Sequence, residues 1–252
     1  MRVRSVEKGT TVKKLAALVF VLAAAAPVGA GDPGPLTVRE ALAAPFAPAI
    51  EVVDTVSSLG SLAGKPQTVT LEDLVRFHGH PCDGLLVAAA GMAYGLRYLF
   101  PQGVVDRTDL AAEVNRSACY GDVAAYLTGA RHRYGSLVID PNLGDEWILF
   151  RRSTKQDVQV RLRPGIKPPE LPVLERRLKQ ADCPPALIAR VQELQRTFAL
   201  EVLSRPPEQV FEVTSSPGHG AIPGAARPDT MKKGCPCATG PRRTPPPKEG
   251  TP

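Results

Sequence analysis

The sequence has few aromatic residues, a nearly neutral central part and no apolar run long enough to span a membrane. Phe, Tyr and Trp make up 5% of its 252 residues. The formal net charge of +6 arises in residues 1–30 and 214–252, which carry +4 each and leave −2 for residues 31–213. Binding to a phosphate backbone requires a clustered surplus of Lys and Arg. The sequence therefore excludes nucleic acid as a partner of its central part.

Motifs that would name a substrate are missing as well. The sequence contains no glycine-rich phosphate loop, no dinucleotide fingerprint and no nucleophile elbow. What it does contain is 43% apolar residues, spread over about 180 residues between its two basic ends. That length is sufficient for one domain of ordinary size with its own hydrophobic core.

The N terminus has the pattern of an export signal. Basic residues end at Lys14, a run of 12 apolar residues fills positions 15–26, and small residues at Val28, Gly29 and Ala30 suit a signal peptidase. A membrane anchor would need about 20 apolar residues. We therefore expect residues 1–30 to be a signal peptide cleaved after Ala30, and the mature protein to be periplasmic or secreted without a membrane span.

Composition divides the rest of the chain into four segments. Residues 31–69 are rich in Ala, Pro and Gly and are predicted to form a loosely structured lead-in. Residues 70–165 form the predicted core and residues 166–213 a helical extension. The tail, residues 214–252, holds nine Pro and six Gly and is predicted to be disordered, because it cannot bury enough apolar surface.

The residue patterns predict an α+β fold: a single domain in which an antiparallel sheet packs against a buried helix, followed by a C-terminal helical hairpin. Thr70 and Asp73 have capping-box spacing and start a helix that ends near Gly79. Residues 84–100 are apolar almost all round, which is typical of a buried helix. The other predicted elements are strands at 110–115, 136–139, 146–152, 157–162 and 209–213, a short helix at 123–127 and two hairpin helices between 172 and 204.

The densest group of chemically active side chains lies between the first two predicted helices. His78, His80 and Cys82 fall within five residues, and imidazole and thiolate suit zinc and neighbouring transition metals. Cys119, which precedes the short helix, is the best candidate for a further ligand from across the fold. Asp122 either orients a ligating His or caps that helix. The pattern equally allows two His that cap a helix and a Cys82–Cys119 disulfide.

Two further cysteines, Cys235 and Cys237, lie in the tail. A two-thiol loop of this kind could capture a soft metal ion as an auxiliary site. A flexible tail with a strained or mixed disulfide is the alternative that we favour, because a CxC lacks the paired spacing of four-Cys sites.

Three motifs resemble the FmdE family, which is named for a component of formylmethanofuran dehydrogenase. They are Phe77-His-Gly-His-Pro-Cys-Asp-Gly84, Cys119-Tyr-Gly-Asp122 and Leu127-Thr-Gly129, and the resemblance extends over residues 71–213. It implies an α+β domain, often dimeric, with a His and Cys metal site that is commonly occupied by zinc. That site lies in a cleft between the first motif and the segment of Cys119.

The sequence departs from the family pattern in three places. Asp83 stands where the family usually has Pro, and Ala130 stands where it often has a Cys, so one ligand or resolving thiol is missing. Of the C-terminal zinc ribbon in longer members, only Cys235 and Cys237 remain as a relic. The resemblance does not transfer the carbon-one chemistry of the family name, because fold likeness alone does not carry function.

Taken together, motifs and resemblance predict an exported protein with a site for zinc or another divalent transition metal. His80, Cys82 and Cys119 are the expected ligands, with His78 as a further ligand and Asp122 as a supporting carboxylate. An open metal position would accept a small-molecule ligand and allow Lewis-acid or thiol-dependent activity.

Two alternatives stay open at this point. In the first, the protein is a metal-trafficking or accessory protein whose Cys235 and Cys237 pass a metal ion to the site. In the second, it is a thiol-redox or structural protein with a Cys82–Cys119 disulfide.

Overall fold

A computed structural model describes residues 35–56, 60, 62–180 and 183–217. The predicted signal peptide and the tail cysteines Cys235 and Cys237 lie outside these residues. Within the described part, no helix combines the length and the apolar character that crossing a membrane requires.

Fifteen helices and strands make up the described residues, together with short 3₁₀ turns at Arg107–Asp109 and His132–Tyr134. In chain order they are α1 Val38–Ala43, β1 Ala49–Val53, β2 Gln67–Thr70, α2 Leu71–His78, α3 Asp83–Leu99, β3 Val104–Asp106, β4 Leu110–Val114, α4 Ala118–Thr128, β5 Leu137–Ile139, β6 Glu146–Arg151, β7 Gln156–Leu162, α5 Leu171–Gln180, α6 Pro185–Ser204, α7 Pro207–Val210 and β8 Phe211–Pro217.

Two sheets are present in the described residues, and the larger one forms a wall of the core. Its strand order is β5-β4-β6-β7-β8, and every neighbouring pair is antiparallel except β4 and β5. The smaller sheet has the order β2-β1-β3, with β1 and β3 parallel. Helices and strands are segregated rather than alternating, so the predicted α+β class is confirmed.

Helix α3 is the centre of the hydrophobic core, as its sequence predicts. Twelve of its 17 residues are buried. Its Gly91 and Gly95 face the large sheet so closely that an added Cβ would lie 2.4 Å from Trp147 and 2.5 Å from Val160. The two glycines therefore set how near the helix axis lies to the sheet, and they fix the direction in which the first turn of α3 emerges.

The predicted hairpin helices are also present, as α5 and α6. Gln195 of α6 donates a hydrogen bond to Glu175 of α5 over 2.8 Å, and Arg190 pairs with Glu170 over 2.6 Å. Buried residues of α6, among them Val191 and Phe198, pack on the core cluster that includes α3. The hairpin is thereby held against the helix that begins at the candidate site.

The predicted loosely structured lead-in differs from the structure, because residues 38–70 hold α1, β1 and β2. Ile50 and Val52 of β1 are buried. Strand β1 pairs with β2 after a long loop and with β3 about fifty residues later. Local composition carries little information about partners so far away along the chain, and this is why the sequence suggests a loose segment.

Helix α4 begins at Ala118, five residues before its predicted start. Gly121 lies within its first turns and weakens the helical pattern of the sequence. As a result, Cys119 lies in the first turn of a helix rather than in the loop before one.

Candidate metal site

Three helix ends meet at the candidate site. Helix α2 ends at His78 because Gly79 adopts a left-handed conformation with φ of 105°. Three residues later, Cys82 is the N-cap of α3, and its sulfur accepts a hydrogen bond from the Leu85 amide over 3.4 Å. Cys119 occupies the first turn of α4. Two thiols therefore lie at helix N-termini, where unpaired amides and the helix dipole favour the thiolate.

The side chains of His78, Cys82 and Cys119 form a compact triangle. The Nε2 atom of His78 lies 3.7 Å from the Sγ atom of Cys82 and 3.7 Å from that of Cys119. The two sulfur atoms are 3.3 Å apart, and both cysteines are free thiols. One nitrogen and two sulfur atoms thus face a common centre.

Asp122 fixes the orientation of the His78 ring. The Nδ1 atom of His78 lies 2.7 Å from a carboxylate oxygen of Asp122, and 7% of the His78 side chain is exposed. A carboxylate partner requires the proton on Nδ1, which leaves the Nε2 lone pair directed at the two sulfur atoms. The alternative role of Asp122 as a helix cap is wrong, because α4 begins four residues earlier with Ser117 as its N-cap.

His80 lies beside the triangle and is more exposed than His78. The two imidazole rings have centroids 4.7 Å apart. The ligating atoms of His78, His80 and Cys82 all lie within 4.8 Å of one another, so this group could hold a metal ion. The structure thus brings His78, His80, Cys82, Cys119 and Asp122 together at one place.

Gly84 allows the two thiols to approach each other. A Cβ at this position would lie 3.1 Å from the Cys119 sulfur and 3.3 Å from the Cys119 Cβ. Any residue larger than glycine would therefore push the first turn of α3 away from that of α4. The Cys-Asp-Gly sequence of residues 82–84 is explained by this contact.

The thiol pair shares its protons unequally. A hydrogen bond from the Cys82 thiol lowers the pKa of Cys119 to about 6, with smaller contributions that include the nearby His78 ring. The same hydrogen bond, together with burial, raises the pKa of Cys82. In the metal-free protein one proton is therefore held between the two sulfur atoms, with the negative charge on Cys119.

The donor set fits a tetrahedral metal ion. Zinc bound at about 2.3 Å from sulfur and about 2.0–2.1 Å from nitrogen separates two sulfur ligands by about 3.8 Å and sulfur from nitrogen by about 3.6 Å. The edges of the observed triangle, 3.3 Å and 3.7 Å, lie within about half an ångström of these values. A divalent ion would also balance the charge of two thiolates in place of the shared proton.

A cavity of about 720 Å³ opens beside the cysteines. Its floor includes His80, Cys82 and Cys119, and its outer wall is the hairpin of α5 and α6. This volume is within the usual range of small-molecule sites. The site therefore has both metal-ligating atoms and space for a small molecule beside them.

Several charged and polar groups of this cavity were not found from the sequence. Asp145 accepts hydrogen bonds from Tyr120 over 3.1 Å and from Lys167 over 2.7 Å. Burial raises the pKa of Tyr120. Burial and, secondarily, the charge of Glu175 raise the pKa of Asp83 to about 6. These residues are distant in sequence, and only the folded hairpin brings them to the site.

The comparisons with known proteins agree with the resemblance of the three motifs. The family model described as "FmdE, Molybdenum formylmethanofuran dehydrogenase operon" matches residues 77–212. Among solved structures, the chain is similar to an FmdE-like protein of tungsten formylmethanofuran dehydrogenase from Syntrophus aciditrophicus. That match has 19% identity and a TM-score of 0.38, and it covers 59% of this chain and 72% of the other. No curated protein matches the sequence.

Proposed function

The chain belongs to the FmdE family, and from this premise we propose that it is an exported protein that binds one transition-metal ion, with zinc as the preferred ion. His78, Cys82 and Cys119 provide the three protein ligands. The fourth position faces His80 and the cavity, where a small molecule can bind to the metal. Three protein ligands with one exchangeable position are typical of zinc sites that act on a ligand.

The observation that carries the proposal is the triangle formed by the His78 Nε2 atom and the two cysteine sulfur atoms. Its edges suit a tetrahedral ion, and the Asp122 carboxylate holds the ring nitrogen in the ligating tautomer. A histidine that merely capped α2 would not need to be buried against two thiols. A bound ion would supply Lewis acidity to a ligand at the fourth position.

The residues of the chain define what can happen at that position. His80 lies close enough to donate a hydrogen bond to a ligand or to occupy the fourth position when the cavity is empty. Tyr120, whose pKa is raised by burial, remains a neutral hydrogen-bond donor. The hairpin of α5 and α6 restricts the access of water to this side of the site.

Metal content tests the proposal. Residues 31–252 are exported to a periplasm, purified without an affinity tag of histidines and analysed for elements by mass spectrometry. We expect about one equivalent of metal in the wild type and its loss in His78→Ala and Cys119→Ser. Cys183→Ser is the matched control, because this exposed thiol lies outside the site, and it should retain the metal. Metal retained in both site variants would overturn the proposal.

Export is part of the proposal and has its own test. The Lys14 boundary, the apolar residues 15–26 and the small residues before Ala30 favour cleavage at that alanine. The intact mass of the full chain recovered from a periplasm should correspond to residues 31–252. A mass that includes the first 30 residues would contradict cleavage.

The same geometry favours a second candidate, a thiol-redox function. The two sulfur atoms are 3.3 Å apart, so a disulfide between Cys82 and Cys119 needs only a small movement. Free thiols are counted in the metal-free protein and in Cys82→Ser. If the wild type contains the disulfide, the substitution releases one thiol; if the thiols are reduced, the count falls by one.

A further inference from the structure

The cavity beside the triangle has an excess of negative charge. Asp83, Asp145 and Glu175 line it, and its cations are Lys167 and Lys179. Lys167 is paired with Asp145 over 2.7 Å, and Lys179 lies exposed at the edge of α5. A divalent ion on two thiolates adds no net charge to this balance. The remaining imbalance falls on Asp83 and Glu175.

These two carboxylates come from different walls of the cavity. Asp83 is the first residue of α3, directly after the ligand candidate Cys82, and Glu175 lies on α5. Each raises the electrostatic cost of the other's charge, because no cation lies between them. Glu175 accepts one hydrogen bond, from Gln195 over 2.8 Å. Among the described residues, the only hydrogen-bond donor to the Asp83 carboxylate is the amide of Gly84.

Buried carboxylates in proteins normally find a counter-charge or several hydrogen bonds. Asp83 and Glu175 have unused acceptor atoms that line a cavity of about 720 Å³ together with two metal-ligating sulfur atoms. An ammonium group of a bound molecule would provide the missing donors and the missing positive charge. Its other end would then lie over the floor of the cavity.

We propose that the cavity binds a small organic amine, whose ammonium group lies between Asp83 and Glu175 and whose second donor group, a thiolate or carboxylate, occupies the fourth position of the metal ion. This inference rests on the proposed metal site and adds the chemical class of its ligand. Apolar side chains of the hairpin, such as Ile188 and Val191, line the cavity and would cover the carbon chain between the two ends.

The test compares three thiols of similar length in zinc-loaded protein by isothermal titration calorimetry. Cysteamine carries an ammonium, 2-mercaptoethanol a hydroxyl and 3-mercaptopropionate a carboxylate. We expect cysteamine to bind at least about tenfold more tightly than 2-mercaptoethanol, and 3-mercaptopropionate to bind most weakly. The metal content of each sample is measured first, so that failure of the metal site is distinguished from failure of the ligand assignment.

Two isosteric variants, Asp83→Asn and Glu175→Gln, remove the charges one at a time. Each should lower the ratio of cysteamine to 2-mercaptoethanol affinity by about fivefold or more while one equivalent of metal remains. Differences in thiol acidity are the same for every variant, so the change in this ratio isolates the carboxylates. Glu193→Gln, which loses a charge on the same hairpin outside the cavity lining, should retain the wild-type ratio.

Two results would overturn the inference in protein that holds its metal. The first is equal affinity for the three thiols in the wild type. The second is a preference for cysteamine that persists unchanged in both variants. Thermal unfolding of each variant shows that it is folded, and because Glu175 is not part of a metal-ligand loop, its variant keeps the test valid if Asp83→Asn does not fold.

Discussion

His78 and Asp122 show how much of the site is decided by single hydrogen bonds. The sequence places His78, His80 and Cys82 close together, but it does not tell which imidazole is directed at the thiols. The structure favours His78, because its ring is buried and its Nδ1 atom is held by Asp122. The sequence ranks His80 first, since alternate positions of an extended turn share a face. The end of α2 at His78 replaces that turn with a helix.

We predict that Asp122→Asn weakens zinc binding by about 10–100-fold, because the amide no longer favours the proton on Nδ1 or the basicity of Nε2. Competition with a chromophoric zinc chelator measures the affinity. Glu72→Gln, an exposed change on the same helix as His78, is the control and should leave the affinity unchanged. An unchanged affinity in Asp122→Asn would show that Asp122 does not orient a ligand.

Local sequence identifies the ligands better than it identifies their surroundings. Cys119 could be proposed from its residue type and from the family resemblance, and the structure places its sulfur 3.3 Å from that of Cys82. Glu175 and Lys167 gave no signal in the sequence, because charged residues on a predicted helix or loop are usually solvated. Their place in the cavity depends on how α5 packs against α6, which no short motif encodes.

At the scale of elements, helix α3 connects the core to the site. Its apolar composition predicts a buried helix, and its glycines explain how closely it can approach the sheet. The sequence could not predict which strands the glycines contact, since Trp147 and Val160 are more than fifty residues away. The parallel pairing of β4 with β5 was missed for the same reason.

We predict that Gly91→Ala destabilises the fold by about 1–3 kcal/mol, because the new methyl group would lie 2.4 Å from Trp147 and must displace it. Urea unfolding followed by Trp fluorescence measures the change. Gly121→Ala in α4 is the matched control, since nothing lies within 4 Å of its new Cβ. That change should instead stabilise the protein by about 0.5–1 kcal/mol through helix propensity. Equal effects of the two substitutions would contradict the close packing of α3.

Helix α1 is attached to α6 by an ion pair whose strength depends on pH. The hydrogen bond from Arg196, with those from Thr37, lowers the pKa of Glu40 from 4.5 to about 2. A carboxyl group with a lowered pKa stabilises the fold above its unfolded value, and the stabilisation is lost as pH falls from about 4.5 towards 2.

We therefore predict that the difference in melting temperature between the wild type and Glu40→Gln is largest above about pH 5 and disappears near about pH 2. Glu193→Gln controls for the loss of one surface carboxylate. A difference that stays constant from about pH 6 to about pH 2.5 would show that the pair with Arg196 does not form in solution.

At the scale of the whole molecule, the described residues form one domain in which chain segments far apart in sequence surround a single site. The α+β class and the order of the central elements follow from hydrophobic patterning. The arrangement of α1, β1 and β2 does not, because their partners β3 and α6 lie far along the chain. The ligands are thus held by a core that the sequence predicts, and the cavity is closed by contacts that it does not.

The most direct measurement is the anomalous scattering of a crystal of the zinc-loaded protein, recorded on both sides of the zinc absorption edge. We predict one peak, about 2.3 Å from the sulfur atoms of Cys82 and Cys119 and about 2.0–2.1 Å from the Nε2 atom of His78. A peak bound elsewhere, or a disulfide between the two cysteines with no peak beside it, would contradict the metal site.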